Sequence, residues 1–292
     1  MIETTNIPLV SLVVLTYNQE QYIRETLDSV FSQDYNNLEI IISDDCSVDG
    51  TFSIIMEYKE RYYGSHRLIV NKNNSNMGLV NHYNNVFSNF IQGEYVLGCG
   101  GDDVLLSSSV TTAVEKLLEA KVSSMSFNSY IINENSERIK VKHSEESDRV
   151  EIYDLKDYLS RNYKTHGACR IIKYDIYKTF GPLAADCQTE DTTTLLRSFL
   201  YGAVGYCYTP NTNYRVHGNN LSSQHNLMTK FNPIKIAKQY RRDIEIALAK
   251  GLINKNQYKQ LICKVAKYKR KNVWLRIRYR LALFVKRFVH FS

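Results

Sequence analysis

The sequence predicts an α/β fold built on a mostly parallel central sheet with flanking helices, followed by a helical basic tail. Three observations predict it. Short apolar, β-branched runs recur through the first hundred residues. Each is followed by a stretch with helical spacing of apolar residues. Polar and acidic motifs stand just after the runs, where a parallel sheet places its ligand sites.

The elements follow in order. Leu9–Leu15 (LVSLVVL) reads as a buried strand, ended by Thr16-Tyr17-Asn18. Residues 21–31 carry Tyr22, Ile23, Leu27, Val30 and Phe31 at helical spacing. Residues 38–43 form a second buried strand, closed by the acidic turn from Asp44 to Gly50. A helix over 51–62, a strand over 67–71, a helix over 79–90 and a strand over 95–97 complete the alternation. Beyond Asp103 the pattern loosens. Residues 107–119 read as helix, 122–133 as strand, 136–149 as a loop or hairpin and 189–201 as helix.

The 292 residues suit one large α/β domain over 1–225 plus a C-terminal helical region over 226–292. The net charge of +7 is a property of the tail. Residues 246–292 hold 13 of the 37 Lys and Arg and none of the 30 Asp and Glu, so the first 245 carry 24 bases against 30 acids, a net of −6. That balance argues against nucleic acid as a partner. The six cysteines include no C-x-x-C, and the polar start has no basic n-region. Free thiols, a reduced cytoplasmic setting and no spanning helix are expected.

Four stretches could carry chemistry. In Asp44-Asp45-Cys46-Ser47-Val48-Asp49-Gly50-Thr51, a carboxylate at a strand end could accept from a base N–H or a ribose hydroxyl. Capping of the next helix by Ser47 and Asp49 is the competing role. Gly98-Cys99-Gly100-Gly101-Asp102-Asp103 places two carboxylates behind glycines, a plausible hard-cation site or simply an acidic turn. Thr189-Glu190-Asp191 opens a helix, where the macrodipole alone favours acids, but a sugar hydroxyl also needs a carboxylate base. Tyr214-Arg215-Val216-His217-Gly218-Asn219-Asn220 alternates a cation and an imidazole along a strand, suited to a diphosphate or its metal.

In order and spacing, these stretches resemble the inverting glycosyltransferases of family two, which have the Rossmann-like GT-A fold. The resemblance covers about residues 8–223 and implies a catalytic domain over 1–225, with a nucleotide-binding half, about 1–105, and an acceptor-binding half, about 106–225. It rests on Thr16-Tyr17-Asn18-Gln19-Glu20-Gln21-Tyr22-Ile23, the complete acidic turn from Asp44 to Thr51, Asn76-Met77-Gly78, Gly100–Asp103, Glu190-Asp191 and Tyr214–His217. Gly100 stands where the family usually has an acid, which leaves the metal to Asp102 and Asp103.

The resemblance implies a nucleotide pocket made by Thr16, Tyr17, Asn18, Glu20, Asp44, Asp45, Asn76, Gly78 and Asp102. It implies Mn²⁺ or Mg²⁺ held by Asp102, Asp103 and His217, and a diphosphate contacted by Arg215 and His217. It assigns catalysis to Asp191, the base, and its neighbour Glu190. The donor would be a nucleotide sugar, with uridine the family's commonest base. The acceptor would be a polyprenyl-diphosphate-linked glycan of bacterial surface polysaccharide. A nucleotidyltransferase that makes nucleotide sugars and a non-catalytic membrane-bound scaffold are the alternatives.

In the tail, Val265, Val273, Trp274, Ile277, Leu281, Phe284, Val285 and Phe288 form an apolar set among Lys269, Arg270, Lys271, Arg276, Arg278, Arg280, Lys286 and Arg287. The pattern predicts an in-plane membrane helix, and the resemblance implies that it lies peripherally on the inner face of the cell membrane. A basic helix docked on the catalytic domain and a nucleic-acid tail are the competing roles.

Overall fold

A computed structural model describes residues 7–218 and 224–289, with side chains described at 7–218 and 225–279. The first half follows the predicted alternation: β1 (Val10–Thr16), α1 (Ile23–Phe31), β2 (Leu38–Asp44), α2 (Thr51–Glu60), β3 (Arg67–Lys72), α3 (Leu79–Asn89) and β4 (Tyr95–Gly100). Next come β5 (Val104–Leu105), α4 (Ser109–Ala120), β6 (Ser124–Ile132), β7 (Arg138–Val141), β8 (Val150–Tyr153) and α5 (Leu155–Ser160). The chain continues through β9 (Ile171–Lys173), α6 (Tyr174–Phe180), α7 (Asp191–Tyr201) and β10 (Val204–Arg215). It finishes with α8 (Gln224–Thr229), α9 (Pro233–Ala249) and α10 (Lys255–Val289).

All these strands join one sheet, whose main path is β3-β2-β1-β4-β9-β6-β10-β5. The four strands β3, β2, β1 and β4 run parallel. β9 then inserts antiparallel between β4 and β6. β10 pairs parallel with β6. β7 and β8 pair antiparallel on β6 and β10, so the stretch expected as a loop or hairpin contains a strand.

Successive strand residues face opposite sides of the sheet. Leu12, Val14, Ile40 and Ile42 therefore enter one core with Ile23, Leu27 and Val110. Val13 and Ile41 enter the other with Val86, Ile176 and Leu196. That second core also contains Ile236, Tyr240, Ile244 and Ala247 of α9 and Leu261 of α10. The boundary expected after residue 225 is thus not a boundary of packing, because α9 closes the core that β1 begins. A buried ion pair reinforces it: Arg197 on α7 donates to Asp243 on α9 from Nε at 3.0 Å and Nη2 at 2.9 Å.

The tail is one long helix. Val265 and Tyr268 pack on the core, whereas Trp274 and Ile277 are exposed. The side chains of Arg280, Leu281, Phe284, Val285, Lys286, Arg287 and Phe288 lie outside the described residues, as do Asn219, Asn220 and the N-terminal residues 1–6. Among the described residues, no helix is long and apolar enough to cross a membrane. All six cysteines are free, four of them buried, with Cys263 exposed.

Candidate active site

The site grows from the carboxyl ends of the adjacent parallel strands β1 and β4, the end at which such sheets place their ligands. It is a cleft of about 1790 Å³.

One wall of the cleft is made by two loops that hydrogen-bond to each other. After β1, the backbone N–H of Asn18 donates to Ser47 Oγ at 2.8 Å and that of Gln19 to Thr51 Oγ1 at 2.7 Å. The Glu20 carboxylate accepts the Gly50 N–H at 2.8 Å, and Asn18 Oδ1 accepts that of Val48 at 3.0 Å. Asn18 adopts a positive φ of 53°, which Asn tolerates better than most residues. Ser47 and Asp49 are consumed by these loop bonds, Asp49 also accepting from Thr51.

Asp44 and Asp45 separate sharply. Asp44 is fully buried, accepts from the Ser47 hydroxyl and N–H, and does not line the cleft. The expected nucleotide contact by Asp44 is therefore replaced by a turn-forming one. Asp45 lines the cleft and accepts from Asn73 Nδ2 at 2.8 Å and from the N–H groups of Met77 and Gly78, both at 2.9 Å. It pins the Asn76–Gly78 loop, where Asn76 Oδ1 also accepts the Gly78 N–H at 2.9 Å. Thr16, Tyr17, Asn18, Glu20, Asn76 and Gly78 all line the cleft with it. Thr16 Oγ1 is buried without a partner among the described residues. A Cβ on Gly101 would approach that oxygen to 2.6 Å, so only glycine lets the two strand ends come this close.

The acidic pair after β4 also divides. Asp102 Oδ2 lies 2.9 Å from His217 Nε2 at the cleft wall. Asp103 turns back and accepts the Arg215 N–H at 3.0 Å. Burial, then the charge of Asp102, pushes the Asp103 carboxyl well above the usual carboxylate range. Asp103 also lines the cleft, and its bond to the Arg215 backbone makes it a brace between β4 and β10.

Arg215 is likewise not where the alternation argument puts it. Its side chain is fully buried. It donates to the carbonyl of Asp102 at 2.8 Å and to Ser136 Oγ at 2.9 Å, and pairs with Glu25 at 3.0 Å. It does not line the cleft, so it positions the Asp102 loop in place of contacting a diphosphate. β10 ends at Arg215, which frees His217 to turn toward Asp102.

Asp102 and His217 fit a divalent cation in kind: one hard oxygen donor and one imidazole nitrogen, already adjacent. Among the described residues, no group of three His, Cys, Asp or Glu converges to hold a metal. The chain thus offers this pair, and the rest of a cation's shell would come from donor phosphate oxygens and water.

Glu190 and Asp191 line the cleft as well. Asp191 begins α7, and its Oδ1 accepts from Arg170 Nη1 at 2.5 Å. Arg170 is itself held by Ser126 Oγ at 3.1 Å and Thr165 Oγ1 at 2.9 Å, so the guanidinium is a fixed clamp on the carboxylate. Arg170 escaped the sequence reading. The one signal was a lone cation before the apolar pair Ile171-Ile172. Its place depends on β9 running antiparallel beside β4, which brings the start of β9 to the cleft end of β4. Gly167 shares the constraint, since a Cβ there would lie 2.5 Å from Asp191 Oδ2. His166 lines the same wall, and burial lowers its pKa to about 4, so it is a neutral imidazole at pH 7.

Burial, then the neighbouring Asp191 charge, raises Glu190 to about 7. The folded chain therefore holds this proton more tightly than the unfolded chain, whose carboxyl titrates near 4.5. The linked stability is complete below that lower pKa and is lost as pH rises through about 7. Glu190→Gln is expected to raise the thermal midpoint at pH 8 and to leave it nearly unchanged at pH 4. Melting curves across that range check the sign.

The walls beyond these two groups come from α8, α10 and the turn after α8: Leu227, Tyr268 and Phe231 line the cleft. The profile of Glycosyl transferase family 2 matches residues 11–180, more than half of the chain. The chain belongs to glycosyl transferase family 2. Solved structures agree on the fold of this family member. TarS residues 1–349 from Staphylococcus aureus, in complex with UDP-GlcNAc, superposes with a TM-score of 0.68 at 18% identity, covering 89% of this chain and 72% of that one. The mannosyltransferase PcManGT from Pyrobaculum calidifontis, in complex with GDP-Man and Mn²⁺, gives 0.60 at 19% identity, covering 96% and 75%. Both likenesses establish the GT-A fold alone.

Among curated relatives, the Escherichia coli UDP-Glc:alpha-D-GlcNAc-diphosphoundecaprenol beta-1,3-glucosyltransferase WfaP is 32% identical over 127 residues, 44% of this chain and 48% of that one. The Staphylococcus aureus poly(ribitol-phosphate) beta-N-acetylglucosaminyltransferase TarS is 33% identical over 105 residues, 35% of this chain and 18% of that one. The aligned stretches span less than half the length of each of these relatives.

Proposed function

We propose that this family member transfers a sugar, with inversion, from a uridine-diphosphate sugar to a glycan carried on a polyprenyl diphosphate at the inner face of a bacterial membrane. The observation that carries the reading is the shared cleft. Asp191, clamped by Arg170, lines the same cavity as the Asp102–His217 pair and as Thr16, Asn18 and Asp45. A nucleotide pocket and a carboxylate base then flank one space large enough for a sugar.

Asp191 accepts the proton of the acceptor hydroxyl as its oxygen attacks the anomeric carbon. The bond from that carbon to the diphosphate oxygen breaks, and the nucleoside diphosphate leaves with the electron pair. One displacement inverts the centre and needs no covalent enzyme intermediate. Arg170 keeps the carboxylate aimed, and the interlocked Asn18 and Ser47 loops hold the nucleotide wall in place. A divalent cation at Asp102 and His217 would supply charge neutralisation for the departing diphosphate.

Uridine is supported by the UDP-GlcNAc complex of TarS and by the UDP-Glc donor in the name of WfaP. The lipid-linked acceptor is supported by the diphosphoundecaprenol in that same name and by the basic C-terminal helix. The cation is supported by the Mn²⁺ in the PcManGT complex.

A thermal-shift panel of nucleoside diphosphates and nucleotide sugars, with and without Mn²⁺, tests the reading. A ligand at about 100 times its Kd adds about 2.7 kcal/mol to the native state. A cation-dependent rise of several degrees is expected with a uridine nucleotide and is expected to disappear in Asp102→Ala. No rise with any nucleotide would leave the scaffold as the better account.

A further inference from the structure

A second cavity, of about 820 Å³, lies away from the sugar-transfer cleft, between α5 and the first half of α10. Lys156, Arg161, Lys259, Lys264 and Lys267 line it, and no Asp or Glu does. None of these five cations takes part in an ion pair among the described residues. Lys264 is fixed at its base, donating to the carbonyls of Tyr158 at 2.6 Å and Leu159 at 3.1 Å. Burial, then the charge of Arg161, lowers its pKa to about 8.

The groove continues along the helix. Lys259, Cys263, Lys267, Arg270, Trp274 and Ile277 succeed one another at spacings of three and four, and all six are exposed. Such spacing keeps them on one face. That face is cationic beside the cavity and becomes apolar at Trp274 and Ile277, seven to ten residues beyond Lys267, or about 10–15 Å at 1.5 Å per residue. Tyr268, Asn272 and Arg276 turn another side of the same helix to the sugar-transfer cleft.

We propose that the groove between α5 and α10 seats the phosphate of an anionic phospholipid headgroup, with Trp274 and Ile277 entering the apolar layer farther along the same face. The charge of the groove selects a phosphate anion, and the adjoining apolar pair selects a lipid over a free ion. This assignment rests on the membrane-surface reading above and gives it a defined site. A lipid held there would bring the transfer cleft alongside the bilayer that carries the acceptor.

Cys263 in the groove wall is a built-in reporter. The full chain is mixed with phosphatidylglycerol-containing vesicles, with pure phosphatidylcholine vesicles, or with inorganic phosphate alone. Cosedimentation and the rate of maleimide attachment at Cys263, read by peptide mass, are measured in each. Phosphatidylglycerol vesicles are expected to bind the chain and slow attachment about tenfold, while phosphatidylcholine has little effect. The double variant Lys259→Glu with Lys267→Glu is expected to partition at least roughly twentyfold more weakly, at about 1 kcal/mol per surface charge. Its thermal midpoint should be unchanged, because neither side chain has a partner to lose. If that variant fails to fold, protection of Cys263 in the wild type still decides. Binding to phosphatidylglycerol with Cys263 attached at its solution rate would overturn the groove and leave the tail as anchor. Absence of binding to any vesicle would overturn both. Equal protection by inorganic phosphate alone would overturn the lipid assignment.

Discussion

Asp191→Asn is expected to lower turnover by about 10²–10⁴-fold while leaving donor affinity close to that of the wild type. The substitution preserves shape and an oxygen that Arg170 can still bond, but the amide cannot accept the acceptor's proton. Donor contacts assigned to Thr16, Asn18, Asp45 and Asp102 lie on other loops and are untouched. Single-turnover rates together with the nucleotide thermal shift separate the two effects. A loss below tenfold would move the base elsewhere, and Glu190 is the adjacent cleft-lining carboxylate. The comparison with Glu190→Gln is informative, since Glu190 lines the same cleft beside Asp191, whereas the Arg170 guanidinium holds Asp191. Its replacement should cost less than that of Asp191.

Asp243→Ala is expected to destabilise the fold by about 3–5 kcal/mol, the cost of leaving a buried charge without its partner. Arg197 and Asp243 are almost wholly inaccessible, at 2% and 0% side-chain exposure, so no solvent replaces the lost carboxylate. Gln239 Nε2, which donates to Asp243 Oδ1 at 2.9 Å, loses its acceptor as well. Burial, ahead of the opposing Arg197 bonds, raises the Asp243 carboxyl above its ordinary range, so desolvation outweighs the pairing. Replacing both partners with apolar residues, Arg197→Met with Asp243→Leu, should therefore recover most of the loss. Urea unfolding of the single and double variants checks this. A single-variant loss under 1 kcal/mol would mean that the α7–α9 contact is not part of the cooperative core.

Much of the fold was legible because its signals are local. The runs at 9–15, 38–43, 67–71 and 95–97 became β1 to β4 with shifts of one to three residues. Buried parallel strands are continuous apolar runs, and that composition is readable without any partner. β9 was not legible: three residues, Ile171–Lys173, carry no periodicity. β10 was seen only at its end, because Tyr206, Tyr208, Pro210 and the Asn residues around it break the apolar run, and its register shifts at Cys207–Pro210 and again before Asn213.

In the site, the motif loops line one cleft, but contact geometry divides neighbouring residues within them. Asp44 and Asp45 are adjacent and identical, yet strand alternation buries one in its own turn and aims the other at the cleft. Asp102 and Asp103 divide in the same way, one toward His217 and one toward the Arg215 backbone. Arg215 and His217 keep the two-residue spacing, but the strand ends between them, so the alternation argument does not extend to His217.

The sequence by itself determined the strand–helix order of the first hundred residues, the family, the loops that carry the carboxylates and the concentration of positive charge after residue 245. These depend on composition and on spacings of a few residues, which the chain displays directly. Only the tertiary structure decided that Arg170 clamps Asp191, that Asp102 meets His217, that α9 completes the core and that the α5–α10 cations share one groove. Each joins residues from separate elements, 21 to more than 100 positions apart, and their meeting depends on sheet order and on the antiparallel insertion of β9. Short-range periodicity carries no record of that order, because the same alternating pattern is compatible with several arrangements of the strands.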